Sequence, residues 1–364
     1  MKSQALTRRR RAISRVSLAD RQHGLISAQL ELIDAQSQQL AELGALVHAQ
    51  AQTLAHLSAR LDGGFSPAQL SMLSTHTRRN FLPNDDAIAQ KQLLATWALA
   101  APAVLTDRDV RASAFRVFSQ NDEDGMLLRI FSQIGQTNQY VIEIGSNCSD
   151  SDLGIPENLS ANLIVNHGWH GAIFEMDPVE CERMRYFFAR DYATRHFHVA
   201  VDGRHDYITP LIIQGPVSPG NIDTLLGSAC AEAEPDLMII DIDGGDYAVM
   251  DAMRSVRPRV LVVEFEKRFR DRHSVVQFDQ GQFSKRWPQS GAASLPAWVQ
   301  LLGARGYRLC AVSGTGYNAF FVRDDIAEGK FATLTPSDAF DQHPIFSKVD
   351  DGVWLAPDES WQAV

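Results

Sequence analysis

The sequence predicts an α/β protein: a mostly parallel sheet flanked by helices, closed at one edge by an antiparallel hairpin and preceded by a long N-terminal coiled-coil helix. Three observations predict it. Between Tyr140 and Arg323 short apolar runs alternate with amphipathic segments, the pattern of strands joined through crossover helices. The last two runs are separated only by the turn Ser313-Gly-Thr-Gly316, which reads as a hairpin connection. Upstream, an apolar residue recurs every seven positions at Ile26, Ile33, Leu40, Val47, Leu54 and Leu61.

The elements follow in order. Residues 1–21 form a basic arm. Residues 22–62 are rich in Ala, Gln and Leu and contain no proline, and their sustained heptad implies a self-associating coiled coil. The companion position, Gln29, Gln36, Leu43, Gln50 and Leu57, is half polar, and its glutamines suit a role in register or oligomer state. The alternative is one long helix packed on its own globular domain. Gly63-Gly64 ends the repeat. Residues 63–115 read as a helical connector, with a helix over Ala87 to Ala100. From 116 to 330 the spacing predicts a helix over Met126 to Ile134 and strands at Tyr140 to Ile144, Gly171 to Glu175, His196 to Val201, Leu237 to Ile242 and Val260 to Glu266. Helices are expected at Asn158 to His167, Pro178 to Arg190, Asn221 to Glu232, Tyr247 to Met253 and Leu295 to Arg305. Tyr307 to Val312 and Ala319 to Arg323 are the closing strands. The tail 331–364 carries Phe340, Phe346, Trp354 and Trp361, which would pack over the domain or across an oligomer interface.

Composition narrows the function classes. An apolar fraction of 45% with 21% charged residues is that of a globular protein. No run approaches the roughly 18 apolar residues of a membrane span, and the start lacks the apolar core of a signal peptide, so the expected location is cytoplasmic. Cys148, Cys181, Cys230 and Cys310 are too scattered for a zinc or disulfide framework. Residues 1–22 carry seven basic side chains against Asp20, a net of +6, so the rest of the chain holds −16 of the total −10. An acidic body excludes nucleic acid as the main partner. The basic arm is either a solubilising tail or a peripheral contact with an anionic membrane, which would put the protein at its inner face.

The chemistry concentrates where strands end. Asp236-Leu-Met-Ile-Ile-Asp-Ile-Asp-Gly-Gly-Asp-Tyr247 begins as a buried strand and then delivers Asp241, Asp243 and Asp246 around two glycines. Clustered acids there cost too much desolvation to be packing residues, and the carboxyl ends of such strands are where ligands bind. In Val141-Ile-Glu-Ile-Gly-Ser-Asn-Cys148, Glu143 followed by Gly145 admits an adenosine-type ligand, with Ser146 and Asn147 in the turn and free N–H groups expected beyond it. Neither a Gly-x-Gly-x-x-Gly fingerprint nor a phosphate loop is present. Glu175 ends the second strand and suits a ribose diol; Asp177 is its reserve, or a helix N-cap before Pro178. Asp202 ends the expected third strand and could meet an adenine amino group. His273 follows Arg268, Arg270 and Arg272 at the rim, as an alternative base beside cations suited to an anionic acceptor; equally, the arginines offset neighbouring acids.

In these positions the sequence resembles the class I S-adenosylmethionine-dependent methyltransferases, and more narrowly the FkbM-like group. The likeness is carried by Ser119-Gln-Asn-Asp-Glu-Asp-Gly125, Glu143-Ile-Gly145, Gly168 to Glu175, Asp241-Ile-Asp-Gly-Gly-Asp-Tyr247, Val262-Val-Glu264, Gly291 to Leu295 and Asn318-Ala-Phe-Phe-Val322, over about residues 117 to 330. Asn147 departs from the pattern, replacing the usual second glycine of the turn. The resemblance implies a Rossmann-like sheet, S-adenosylmethionine as cofactor and transfer of its methyl group to a hydroxyl of a sugar or natural product. Together with the strand-end reading, this leaves Glu143, Gly145, Ser146, Asn147, Glu175, Asp202 and Asp241 as candidate cofactor-binding residues, and Asp243, Asp241 and His273 as candidate catalytic residues. Mg²⁺ held by Asp241 and Asp243 with Asp246 or Glu264 is compatible with the residue chemistry; the alternative is that Asp246 caps a helix and no metal binds. The expected function is O-methylation of a carbohydrate or glycan acceptor by a homo-oligomer. The alternatives are O-methylation of a small natural product and a non-catalytic coiled-coil scaffold.

Overall fold

The chain divides into two compact units, Met1–His76 and Thr77–Val364. The computed structural model describes residues 85–100, 104–148, 155–190, 209–229, 231–277, 292–349, 356–357 and 360–364, all in the second unit. The basic arm, the heptads, Asp202, His196, His198, Cys230 and Gly291 lie outside the described residues.

Helices α1 (Asp85–Ala100), α2 (Asp107–Arg111) and α3 (Glu123–Ile134) precede the first strand. There follow β1 (Tyr140–Ile144), α4 (Ala161–His167), β2 (His170–Glu175), α5 (Pro178–Arg190), β3 (Leu211–Gln214), α6 (Ile222–Ser228), β4 (Leu237–Ile240), α7 (Asp246–Ala252) and β5 (Val260–Glu264). Then come β6 (Val275–Gln277), α8 (Leu295–Ala304), β7 (Tyr307–Val312), β8 (Asn318–Arg323), α9 (Asp324–Ala327), α10 (Pro336–Asp341) and β9 (Trp361–Ala363). Seven strands form one sheet in the order β3-β2-β1-β4-β5-β8-β7. All neighbours from β3 to β5 pair in parallel; β8 runs antiparallel to both β5 and β7. The expected Rossmann-like sheet with its antiparallel hairpin is therefore present, and the order reverses between β1 and β4, the crevice where ligands of such sheets bind.

Strand alternation sorts the core into two layers. Val141, Ile173, Ile239, Val262 and Phe320 face one cluster with Leu127, Phe131, Ile164 and Phe188 from α3, α4 and α5. Ile142, Phe174, Ile240, Val263 and Phe321 face the other with Leu226, Met250 and Trp298 from α6, α7 and α8. Both faces are covered, so the strands are continuous apolar runs rather than alternating ones. Phe340 and Phe346 of the tail are buried in the second layer. Gly316 (φ +74) lets Phe346 approach: a Cβ there would stand 2.0 Å from its ring.

The strand expected at His196 to Val201 lies outside the described residues; among them, the strand beside β2 is Leu211–Gln214. Pro210 argues against a strand in the sheet interior; β3 is an edge strand, where a preceding proline costs no ladder bond. The short ribbon of β6 and β9 has no signal in the sequence.

Candidate active site

The period-two alternation that buries Val141, Ile173, Val262 and Phe320 on the first face places Glu143, Glu175, Glu264 and Asn318 on that same face at one end of the sheet. Asp241 continues β4 past its last residue, its N–H donating to the Ile144 carbonyl at 2.9 Å. Ile240 pairs with Val263 and Glu264 pairs with Asn318, so Asp241, Glu264 and Asn318 form a lateral row across three strands. At the crevice, Gly145 (φ +82) passes so close to β4 that a Cβ would lie 1.6 Å from the Asp241 carbonyl oxygen. Its glycine is demanded by this crossing.

Beyond Asp241 the chain turns through three successive positive φ angles, Asp243 (56°), Gly244 (139°) and Gly245 (94°). Glycine adopts these freely and Asp tolerates the left-handed region, which explains the Asp-Gly-Gly order. Asp246, buried at 1% exposure, holds the turn by accepting from Ile242 N–H at 2.8 Å and Gly244 N–H at 3.0 Å. Burial raises it to about 6, against those hydrogen bonds.

This turn returns Asp243 over the strand end. One carboxylate oxygen from each of Asp241, Asp243 and Glu264 lies within 4.8 Å of the others. Burial first, then the charges of Asp246 and Asp243, raise Asp241. Burial and the charges of Asp241, Asp246 and Asp243 raise Glu264. Asp243 stands at the exposed rim, raised by partial loss of solvent. Glu264 Oε2 is buried without a hydrogen-bond partner. Carboxylates that crowd together and repel one another suit a cation, and hard oxygen donors suit Mg²⁺.

The loop before α3 is tied to this row at Asn318. In Ser119-Gln-Asn-Asp-Glu-Asp-Gly125, Asp124 accepts from the backbone N–H groups of Val117, Phe118 and Ser119 at 2.7, 2.7 and 2.8 Å, which closes the loop on the start of α3. Burial raises Asp124 to about 6. Asp122 accepts from Gly314 N–H at 3.1 Å, and Glu123 accepts from Asn318 Nδ2 at 3.0 Å, so the loop clasps the β7–β8 hairpin. On its other side the hairpin meets His343, whose Nδ1 accepts from Ile345 and Phe346 N–H while Nε2 donates to the Ser313 carbonyl at 2.9 Å.

On the opposite side of the crevice, Glu175 is half-buried; Oε1 accepts from Asp177 N–H at 2.6 Å and Oε2 from Ser146 N–H at 3.1 Å. Each oxygen keeps lone-pair capacity, which fits a pair of ribose hydroxyls. Asp177 caps α5, accepting from Val179 N–H at 2.7 Å and Glu180 N–H at 3.3 Å. Glu143 is buried, its two oxygens accepting from Leu159 and Ser160 N–H at 3.0 and 3.2 Å. Burial raises it to about 7. The expectation of free N–H groups in this turn is not met at Ser146 and Cys148, because Glu175 and Glu180 (2.6 Å from Cys148 N) occupy them. Ser146 Oγ accepts from Asn158 at 2.7 Å, and Asn147 is exposed.

His273 stands edge-on to Phe269 at 6.3 Å and is not among the groups forming the carboxylate cluster. Arg268 is paired with Glu266 and Arg270 with Asp341. Burial, then the Glu180 charge, pushes the Cys148 thiol up to about 12, the property of a filler rather than a nucleophile. The sequence reading did not assign Glu123 or Asn318 to the site. The acids at the start of α3 and the polar start of β8 were visible as motifs, but their contact spans 195 residues.

No family model and no curated protein matches the chain. Among solved structures it is similar to the O-methyltransferase from Bacillus cereus in complex with SAH, at 14% identity over 68% of this chain and 95% of that one, with a TM-score of 0.31. It is also similar to CalS11, a TDP-rhamnose 3'-O-methyltransferase of calicheamicin biosynthesis (13% identity, 71% of this chain and 96% of that one, TM-score 0.32). A third is the glycopeptide N-methyltransferase MtfA (12% identity, 60% and 99%, TM-score 0.30). At such scores and identities these likenesses carry no argument; the fold rests on the strand order.

Proposed function

We propose that the chain is an S-adenosylmethionine-dependent O-methyltransferase of FkbM-like type, acting on a hydroxyl of a sugar or polysaccharide. The observation that carries this reading is the arrangement around the crevice: Glu175 on one side, suited to a ribose, and the Asp241–Asp243–Glu264 cluster on the other. The motifs that carry the family resemblance support it, since Asp241 to Tyr247, Val262 to Glu264, Asn318 to Val322 and Ser119 to Gly125 converge on this one place.

Glu175 would bind the ribose of the cofactor, and Asp241 would line the crevice near its sulfonium, whose positive charge suits the acidic row. Asp241, Asp243 and Glu264 would hold Mg²⁺, which supplies Lewis-acid polarisation of an acceptor oxygen when bound. Asp243, at the rim and raised above the ordinary carboxylate range, is the base that takes the acceptor hydroxyl's proton. In-line positioning of that oxygen is the rest of the task. The heptads at 22–62 would join copies of the chain, and the basic arm would bring them to an anionic membrane face near a glycan acceptor.

The test is methyl transfer from labelled S-adenosylmethionine to a panel of oligosaccharides, with Mg²⁺ and with a chelator. Asp243→Ala should abolish transfer while cofactor binding by calorimetry survives. Full turnover in that variant removes Asp243 as the base; no cofactor binding by the parent chain overturns the whole reading.

A further inference from the structure

Asn318 stands beside Glu264 in the β5–β8 register, on the same face of the sheet. It is only 7% exposed. Its Nδ2 donates to Glu123 Oε1 at 3.0 Å. A carboxylate only accepts, so this bond fixes which end of the amide is nitrogen. The Oδ1 atom then has no donor from any described residue. On the paired residue, Glu264 Oε2 is buried and unpartnered. A buried acceptor left unsatisfied is uncommon, and such a group in a native fold calls for a reason. A shared cation satisfies both.

Glu123 is itself fully buried, its second oxygen accepting from Asn121 N–H at 3.1 Å. It is thereby held against rotation at both oxygens. Its negative charge reaches Asp241 as well.

We infer that Asn318 Oδ1 is a further oxygen ligand for the divalent cation of the Asp241–Asp243–Glu264 cluster, and that Glu123 is the positioning residue that keeps this oxygen, rather than the amide nitrogen, open to it. The inference rests on the metal-binding reading proposed above. An amide carbonyl is a hard, uncharged donor, so it adds coordination without adding to the repulsion among three carboxylates. Exchange of the amide's two ends would present two N–H donors to the cation and close the site.

The experiment is a titration of the full-length chain with MnCl₂, followed by calorimetry and by the loss of the free Mn²⁺ electron-spin resonance signal. The parent chain should bind Mn²⁺, and Asp243→Ala should lose it. Asn318→Ala should weaken binding by about tenfold or more, the scale reached when supporting ligation is lost. Asn318→Asp, which retains the oxygen, should bind within about threefold of the parent or more tightly. Glu123→Gln, which no longer dictates the amide's orientation, should weaken binding by several-fold, with Asn318→Asp in the same chain restoring it. Unchanged Mn²⁺ affinity in Asn318→Ala overturns the assignment of Asn318 while leaving the three-carboxylate site standing. Weakening in Asn318→Ala that Asn318→Asp fails to restore assigns the residue to packing and overturns the inference too. A parent chain that binds no Mn²⁺ overturns the metal reading itself.

Discussion

Asp236, at the opposite end of β4 from the site, is fully buried and makes a dense set of hydrogen bonds. Its carboxylate accepts from Thr137 N–H at 2.8 Å, Thr137 Oγ1 at 2.9 Å, Asn138 N–H at 3.0 Å and Gln139 N–H at 2.7 Å, and is paired with Arg259. Arg259 in turn donates to the Gly135 and Ile134 carbonyls at the end of α3 at 3.0 and 3.1 Å. One ion pair thus ties α3, the turn into β1, and the residues just before β4 and β5. Asp236→Ala would leave a buried guanidinium without its counter-ion, and three backbone donors without an acceptor. Breaking a buried pair from one side costs about 3–5 kcal/mol. For a unit of this size that lowers Tm by on the order of 10 °C. Burial alone would raise Asp236, but Arg259 and the Thr137 and Gln139 hydrogen bonds prevail and hold it below the ordinary carboxylate range. A depressed folded-state value means the pair's contribution is whole above the ordinary Asp value of about 3.9 and is lost as pH falls through the lower one. Urea unfolding at pH 7 should therefore separate parent and variant clearly, and the gap should narrow only in strong acid. A loss under about 1 kcal/mol at pH 7 would refute the argument that this pair bears the base of the sheet.

Gly145→Ala should be severely destabilising, because its Cβ would fall 1.6 Å from the Asp241 carbonyl oxygen and φ is +82; thermal unfolding together with cofactor calorimetry would detect loss of both fold and site. Asp246→Ala strands the Ile242 and Gly244 amides, at about 1–3 kcal/mol for each buried donor. It should also lower Mn²⁺ affinity by releasing Asp243; wild-type affinity would show that the turn holds its shape without it. His167, bonded to Gln90 at 2.7 Å, is lowered to about 4 by burial and then by the Lys91 charge. The unfolded chain binds this proton more readily, so stability should climb between pH ~4 and ~6.5, by at most about 1.4 kcal/mol per pH unit. His343 is lowered as well, first by burial, and adds to the same slope. His167→Gln should flatten the rise in urea midpoint, and an unaltered slope would dismiss His167 as its source.

The strand ends were legible because they are local. Asp241, Asp243 and Glu264 could be nominated from an apolar run followed by acids, and lateral pairing of β4 with β5 then brings them together. Most helices were found within a few residues, since their faces follow the 3.6-residue period. What failed also has a cause. At the third strand, Pro210 hid an edge strand whose apolar run is only four residues long. At the Gly145 turn, Glu175 and Glu180 reach back from β2 and α5 to occupy amides that looked free. Glu143, which reads locally as a cofactor ligand, also accepts from the amides of Leu159 and Ser160, partners that only the fold supplies.

The sequence by itself determined the α/β class, the order of most elements, the closing hairpin and the carboxylates at the ends of β4 and β5. These depend on the periodicity of apolar residues and on the cost of burying charge, both set within a few residues along the chain. Only the tertiary structure decided which acids serve the fold and which remain open to a ligand. Asp246 and Asp236 are consumed by backbone donors, while Asp243 and the unpartnered oxygen of Glu264 are not. That division rests on partners brought together from distant segments, as in the Glu123–Asn318 bond, and a hydrogen bond records only the distance in space.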